Sequence, residues 1–80
     1  MKTPPELRAA EKRENIVITT REYADETIIA VDFGPSVAAP TLDIVDDTAI
    51  VVLDDQQFEF GIPPEATDVT LNDGILTIKD

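Results

Sequence analysis

The chain has 80 residues, of which 42% are hydrophobic and 5% aromatic, enough for one small domain with a thin core. It holds neither Cys nor His, which excludes disulfides, thiolate zinc sites, cysteine nucleophiles and the Ser–His hydrolases. Seventeen acids against six bases give a net charge of −11, which disfavours nucleic acid and anionic membrane surfaces as partners, because phosphate recognition needs a positive footprint.

Thr3-Pro4-Pro5-Glu6 has the Thr-x-x-Glu form of a capping box with Pro in the first helical turn, and predicts a helix over about Pro4–Glu14. Its apolar face is Leu7 with alanines, too little to hold a helix by itself. Residues 1–14 are therefore expected to be a frayed helical or disordered arm, ordered, if at all, by a partner. Asn15–Tyr23 is rich in β-branched residues and sets Ile16 and Ile18 on one face. After a turn at Ala24-Asp25-Glu26, Thr27–Phe33 alternates Ile29, Val31 and Phe33 against Ile28, Ala30 and Asp32. Gly34-Pro35-Ser36 breaks that strand and a loop runs to Pro40. Thr41–Val45 aligns Leu42 with Ile44, and Asp46-Asp47 turns the chain.

Thr48–Leu53 is apolar on both faces, as a central buried strand is, with Ile50 and Val52 taken as its inward pair. Asp54-Asp55 is the next turn. Gln56–Ile62 lines up Phe58, Phe60 and Ile62 and ends at Pro63-Pro64. Ala66–Leu71 sets Val69 and Leu71 on one face, Asn72-Asp73-Gly74 signals a tight hairpin, and Ile75–Lys79 follows. Short strands at intervals of about ten residues, with Pro at their ends, predict an all-β fold: an antiparallel immunoglobulin-like β-sandwich of about seven strands.

The charge is uneven. Residues 1–21 hold five bases (Lys2, Arg8, Lys12, Arg13, Arg21) and three acids (Glu6, Glu11, Glu14), a net of +2, whereas residues 22–80 hold fourteen acids and one base, Lys79, a net of −13. Asp outnumbers Glu ten to seven, and acids occur in every segment. The excess reads as a solvated surface suited to a high-salt cytoplasm, as in salt-in halophilic archaea, where 1 M salt screens charge over about 3 Å. The other reading is an acidic patch for a basic partner. Apolar runs such as Ala49–Leu53 are far short of a membrane span and no signal peptide opens the chain, so a cytoplasmic location is expected.

Phe58-Glu59-Phe60-Gly61-Ile62-Pro63, followed by Asp68–Leu71 and then Asn72-Asp73-Gly74-Ile75-Leu76-Thr77-Ile78, is similar to a known pattern. It resembles the alpha-crystallin domain of small heat-shock proteins, in which a strand ending in Leu-Pro precedes an alternating strand and an Asn-Gly-Val-Leu-Thr-Ile segment. Ile28–Pro35 resembles the strand that leads into the family's Leu-Pro-Gly, with Gly34-Pro35 reversing the Pro-Gly order, and Leu42–Val52 resembles its next hairpin. The likeness covers about residues 15–79 and extends to the plainer sandwich of CS domains. It implies a sandwich domain over 15–80 behind an arm at 1–14, and non-enzymatic, chaperone-like or co-chaperone-like binding of an unfolded client. A dedicated adaptor or accessory subunit for a single protein partner is the alternative. The family's long loop that builds the microbial dimer is replaced by Asp54-Asp55, and its Ile-x-Ile docking segment is not seen before Asp80. A monomer or weak dimer is the corresponding expectation.

By the same resemblance, strands Thr41–Val45 and Ala66–Leu71 flank a hydrophobic groove where an extended segment adds, with Leu42, Ile44, Val69 and Leu71 as its contacts. The alternative is that these four are plain core. Leu7, in the one basic stretch, is the candidate contact of the arm with a partner or a second copy, the alternative being a mobile terminus. Asp43, Asp46, Asp47, Asp54 and Asp55 suggest calcium by composition, yet they lack the Gly and distal Glu of an EF-hand, and two turns account for them. No metal or cofactor is expected. Ser36 has no histidine to activate it, the three glycines stand apart, and no cleft loops position a carboxylate pair, so no enzyme is expected.

Overall fold

A computed structural model describes residues 1–36 and 38–80, so the loop expected from Gly34 to Pro40 is described except at residue 37. Among the described residues one helix, α1 (Pro5–Arg13), precedes seven strands: β1 (Val17–Glu22), β2 (Thr27–Asp32), β3 (Thr41–Val45), β4 (Thr48–Leu53), β5 (Gln56–Gly61), β6 (Asp68–Asn72) and β7 (Ile75–Lys79). All pairings are antiparallel, in a four-stranded sheet of order β1-β2-β7-β6 and a three-stranded sheet of order β3-β4-β5. The all-β, seven-stranded architecture expected from the strand spacing is the one that forms.

Three hairpins share a device. The two-residue turns after β3, β4 and β6 open with Asp46, Asp54 and Asp73 at φ of 55°, 54° and 53°. Asp tolerates this left-handed region better than most L-residues, because its short side chain bonds locally. Gly74 follows Asp73 at φ 78°, the pair of positive angles that a type I′ turn requires and that suits the twist of the flanking strands.

Between the sheets lie Ile29 and Val31 of β2, Leu76 and Ile78 of β7, Ala49, Val51 and Leu53 of β4, and Phe60 of β5, all buried. Phe33, just past β2, meets Phe58 of β5 with ring centroids 5.1 Å apart, tying one sheet to the other. The inward face of β4 is a correction. Ile50 and Val52 point outward, while Ala49, Val51 and Leu53 face the core. Both faces of this strand are apolar, so alternation cannot choose between them. Its neighbours do: Ala49 stands across from Phe60 and Ile44, and Val51 from Phe58 and Leu42, so burying the β5 aromatics carries the odd-numbered residues inward.

The helix expected over about Pro4–Glu14 forms as α1, but its setting is a second correction. Instead of fraying, α1 lies along β5, with Leu7 only 1% exposed and Ala10 buried beside it. Full burial of a Leu side chain is worth about 2 kcal/mol, which a helix of this length lacks in isolation. Glu6 accepts the Gly61 N–H at 3.3 Å and Glu14 accepts from Gln56 Nε2 at 3.1 Å, so helix and strand run antiparallel. The capping box does not form. Pro4 takes the N-cap position with no side-chain bond, Thr3 Oγ1 lies 3.5 Å from Thr20 Oγ1 on β1, and Glu6 is engaged by Gly61.

Candidate functional site

A two-sheet sandwich has two open sides. Here α1 lies along one of them, held to β5 by Glu6 and Glu14 and touching β1 through Thr3. On the other side β3, at the edge of one sheet, meets β6, at the edge of the other. Among the described residues each of these strands pairs on one side only, which leaves each a row of backbone N–H and C=O groups without a strand partner there.

The four groove candidates converge at this side. Leu42 and Ile44 stand across from the buried Val51 and Ala49, and Val69 and Leu71 across from the buried Ile78 and Leu76, so all four lie on the inner faces. Leu42, Val69 and Leu71 are half-buried and pack against the core. Ile44 differs: it shares their face but is 46% exposed. Core and groove are thus graded along one strip, with Ile44 at its open end.

Two features of this side escape an alternation rule. Val45 follows Ile44 and points to the opposite face, 53% exposed, so the end of β3 shows apolar surface both ways. On the outer face of the same sheet Val52 is exposed and Ile50 half-buried. The two-sided apolarity of Thr48–Leu53 was the only sign of this outer strip. Around the β3 tip stand Asp43, Asp46 and Asp47, all exposed, as acids that discourage edge-to-edge aggregation of such a strand.

The remaining candidates do not gather into a site. Leu7 is spent on the protein's own core, and the exposed residues of its helix are Arg8, Lys12 and Arg13 with Pro5, Glu6 and Ala9. Asp46 and Asp47 lie at one end of β4 and Asp54 and Asp55 at the other. Among the described residues no group of three or more His, Cys, Asp or Glu is placed to hold a metal ion. Asp54 Oδ1 accepts the Ala38 N–H at 3.1 Å, and Ser36 Oγ donates to the Ala38 carbonyl at 2.7 Å, so both serve the loop before β3. A cleft of about 580 Å³ opens where Met1–Glu6 pass Gly61–Glu65, walled by Pro4, Pro5, Pro63 and Pro64. The two Pro-Pro pairs were legible in the sequence, but their meeting depends on the docking of α1.

The whole chain, residues 1–80, matches DUF7127, a family of unknown function. The chain belongs to this family. No curated protein and no solved structure matches it. Among the described residues of this DUF7127 domain, no helix is long and apolar enough to cross a membrane. What the domain offers is a free strand edge with exposed aliphatic side chains and an acidic fringe.

Proposed function

We propose that the domain is a non-enzymatic protein-binding module that takes up an extended apolar segment along the β3–β6 side. The reading is small-heat-shock-like: passive capture, without cofactor, in the high-salt cytoplasm of a halophile. The observation that carries it is Ile44, 46% exposed on the core-facing side of a strand whose outer edge has no strand partner among the described residues. An added strand would bond to the β3 backbone and cover Ile44 and Val45, and apolar area removed from water contributes about 25 cal/mol per Å². Salt excluded from protein surfaces strengthens that contribution. The meeting of β3 with β6 supports the likeness to the alpha-crystallin domain, whose groove lies between the corresponding strands.

The acids Asp43, Asp46 and Asp47 around Ile44 favour a narrower version, an adaptor for one partner whose apolar segment is flanked by bases. Both versions are tested by warming two unrelated heat-labile proteins with and without the domain in about 2 M KCl, where surface charge is well screened. General capture predicts suppressed light scattering for both near equimolar ratio. An adaptor predicts none, together with binding of basic-flanked apolar peptides that Ile44→Asp abolishes. If neither scattering nor peptide binding responds, the reading fails.

A further inference from the structure

Outside residues 1–14 the chain has two bases, Arg21 and Lys79, against fourteen acids. Both bases lie on the outer face of the four-stranded sheet. Arg21 stands across from Ile28, Ile28 from Lys79, and Lys79 from Asp68. This row points outward because the adjacent Ile29 and Ile78 are fully buried, and side chains alternate along a strand. The middle row of the same face is Thr19, Ala30, Thr77 and Thr70, uncharged and without a bulky side chain. The third row holds one acid, Asp32, between Val17 and Ile75, which are 61% and 40% exposed. Two bases thus balance two acids on this face of a chain whose net charge is −11. The outer face of the three-stranded sheet carries Asp43 and Glu59 and no base.

We propose that this neutral face is the contact between two copies of the chain. Outside residues 1–14, which carry the remaining bases, other contacts bring carboxylates against carboxylates, which repel. The middle row of small side chains lets two sheets stack at about 10 Å. A two-fold axis along that row lays the Asp32 row of each copy over the Arg21 row of the other. Asp32 of one copy then falls over Ile28 of the other, between its Arg21 and Lys79, and Val17 and Ile75 are covered. The Asp32 carboxylate is already oriented, since its Oδ1 accepts the Gly34 N–H at 2.9 Å. Four strands about 4.8 Å apart and five residues at about 3.4 Å give a footprint on the order of 300 Å². That is well below the roughly 800 Å² per partner of a standard interface, so the dimer is weak and reversible. This contact is independent of peptide capture at β3.

The test is sedimentation equilibrium of the full chain in high KCl from about 10 μM to 1 mM, the range in which so small an interface associates. The native chain is expected to pass from monomer to dimer across that range. Thr77→Arg, at the centre of the face, should weaken association at least about tenfold, whereas Val45→Arg on the other sheet should leave it unchanged. Charge exchange adds a readout that salt screens, so it is made at the lowest KCl in which circular dichroism shows the chain folded. The double variant Arg21→Glu/Lys79→Glu should be monomeric alone, as should Asp32→Lys, and an equimolar mixture should dimerise again. Asp32→Lys also removes the bond to Gly34, so circular dichroism checks its fold; if it does not fold, Thr77→Arg and the double variant carry the test. A native chain that stays monomeric throughout overturns the proposal, as does a dimer that survives Thr77→Arg or is broken by Val45→Arg.

Discussion

The Gly61 amide reaches the Glu6 carboxylate over 3.3 Å, joining residues fifty-five positions apart in the chain. That bond sits on the free edge of β5, so the helix covers a strand edge that would otherwise be open to other chains. The bond itself is exposed and worth little, whereas the Leu7 side chain beside it carries the attachment.

Leu7→Ala is expected to lower the unfolding free energy by about 2–4 kcal/mol, as deletion of a fully buried Leu does. Lys12→Ala, on the exposed side of the same helix, should stay within about 0.5 kcal/mol. Urea unfolding in high KCl, followed by circular dichroism, compares them. Equal midpoints would mean that the helix is not docked in solution.

Ile44→Asp and Val51→Asp separate groove from core. The two positions share a face and lie on adjacent strands, but Val51 is fully buried and Ile44 nearly half exposed. A carboxylate at 51 has no partner and should unfold the domain, at a cost of several kcal/mol. At 44 it should cost on the order of 1 kcal/mol and abolish peptide uptake. Fluorescence anisotropy with a labelled apolar peptide, beside a melting curve, reads both. Parallel loss of binding and fold in Ile44→Asp would return that residue to the core.

Gly74→Ala isolates backbone strain. A Cβ at this position has no neighbour within 4 Å, yet φ is 78°. The expected loss is about 1–2 kcal/mol without steric clash. Asp46→Gly, at φ 55° on an exposed turn, should stabilise by a few tenths to about 1 kcal/mol. A neutral Gly74→Ala in urea titration would show that the β6–β7 turn relaxes to another geometry.

Stability should rise with KCl. Acids outnumber bases by eleven, and raising salt from 0.1 to 1 M shortens the screening length from about 10 Å to about 3 Å. The urea midpoint is expected to climb over this range. The triple variant Asp43→Asn/Asp46→Asn/Asp47→Asn should show a flatter dependence. An unchanged midpoint would remove the main support for a high-salt setting.

Strand order along the chain was legible because the connections carried their own chemistry: Asp-Asp twice, Asn-Asp-Gly, Ala-Asp-Glu, Gly-Pro at the break after β2 and Pro-Pro after β5. What failed were choices that need a neighbour. The Thr48–Leu53 strand is apolar on both sides, and only pairing with Phe58 and Phe60 tells which side is inward. Leu7 and Ala10 looked too sparse to fix a helix, since the surface that buries them is contributed by a strand some fifty residues later. At the candidate site the alternation correctly put Leu42, Ile44, Val69 and Leu71 on inner faces. It could not grade their exposure, which depends on how closely β3 approaches β6.

The topology also fixes an order of assembly. Three-stranded β3-β4-β5 is a meander of nearest neighbours in sequence, and β1 with β2 is a local hairpin, so both close short loops at small entropic expense. The β2–β7 pairing instead joins segments more than forty residues apart and supplies the centre of the larger sheet. That long-range closure is the expected slow step. During synthesis, β1 and β2 must wait with Ile29 and Val31 uncovered by their own sheet until residues 75–79 have been made. Mutations in the early β3–β4 hairpin, and in β7 where it closes on β2, should therefore slow folding more than they speed unfolding.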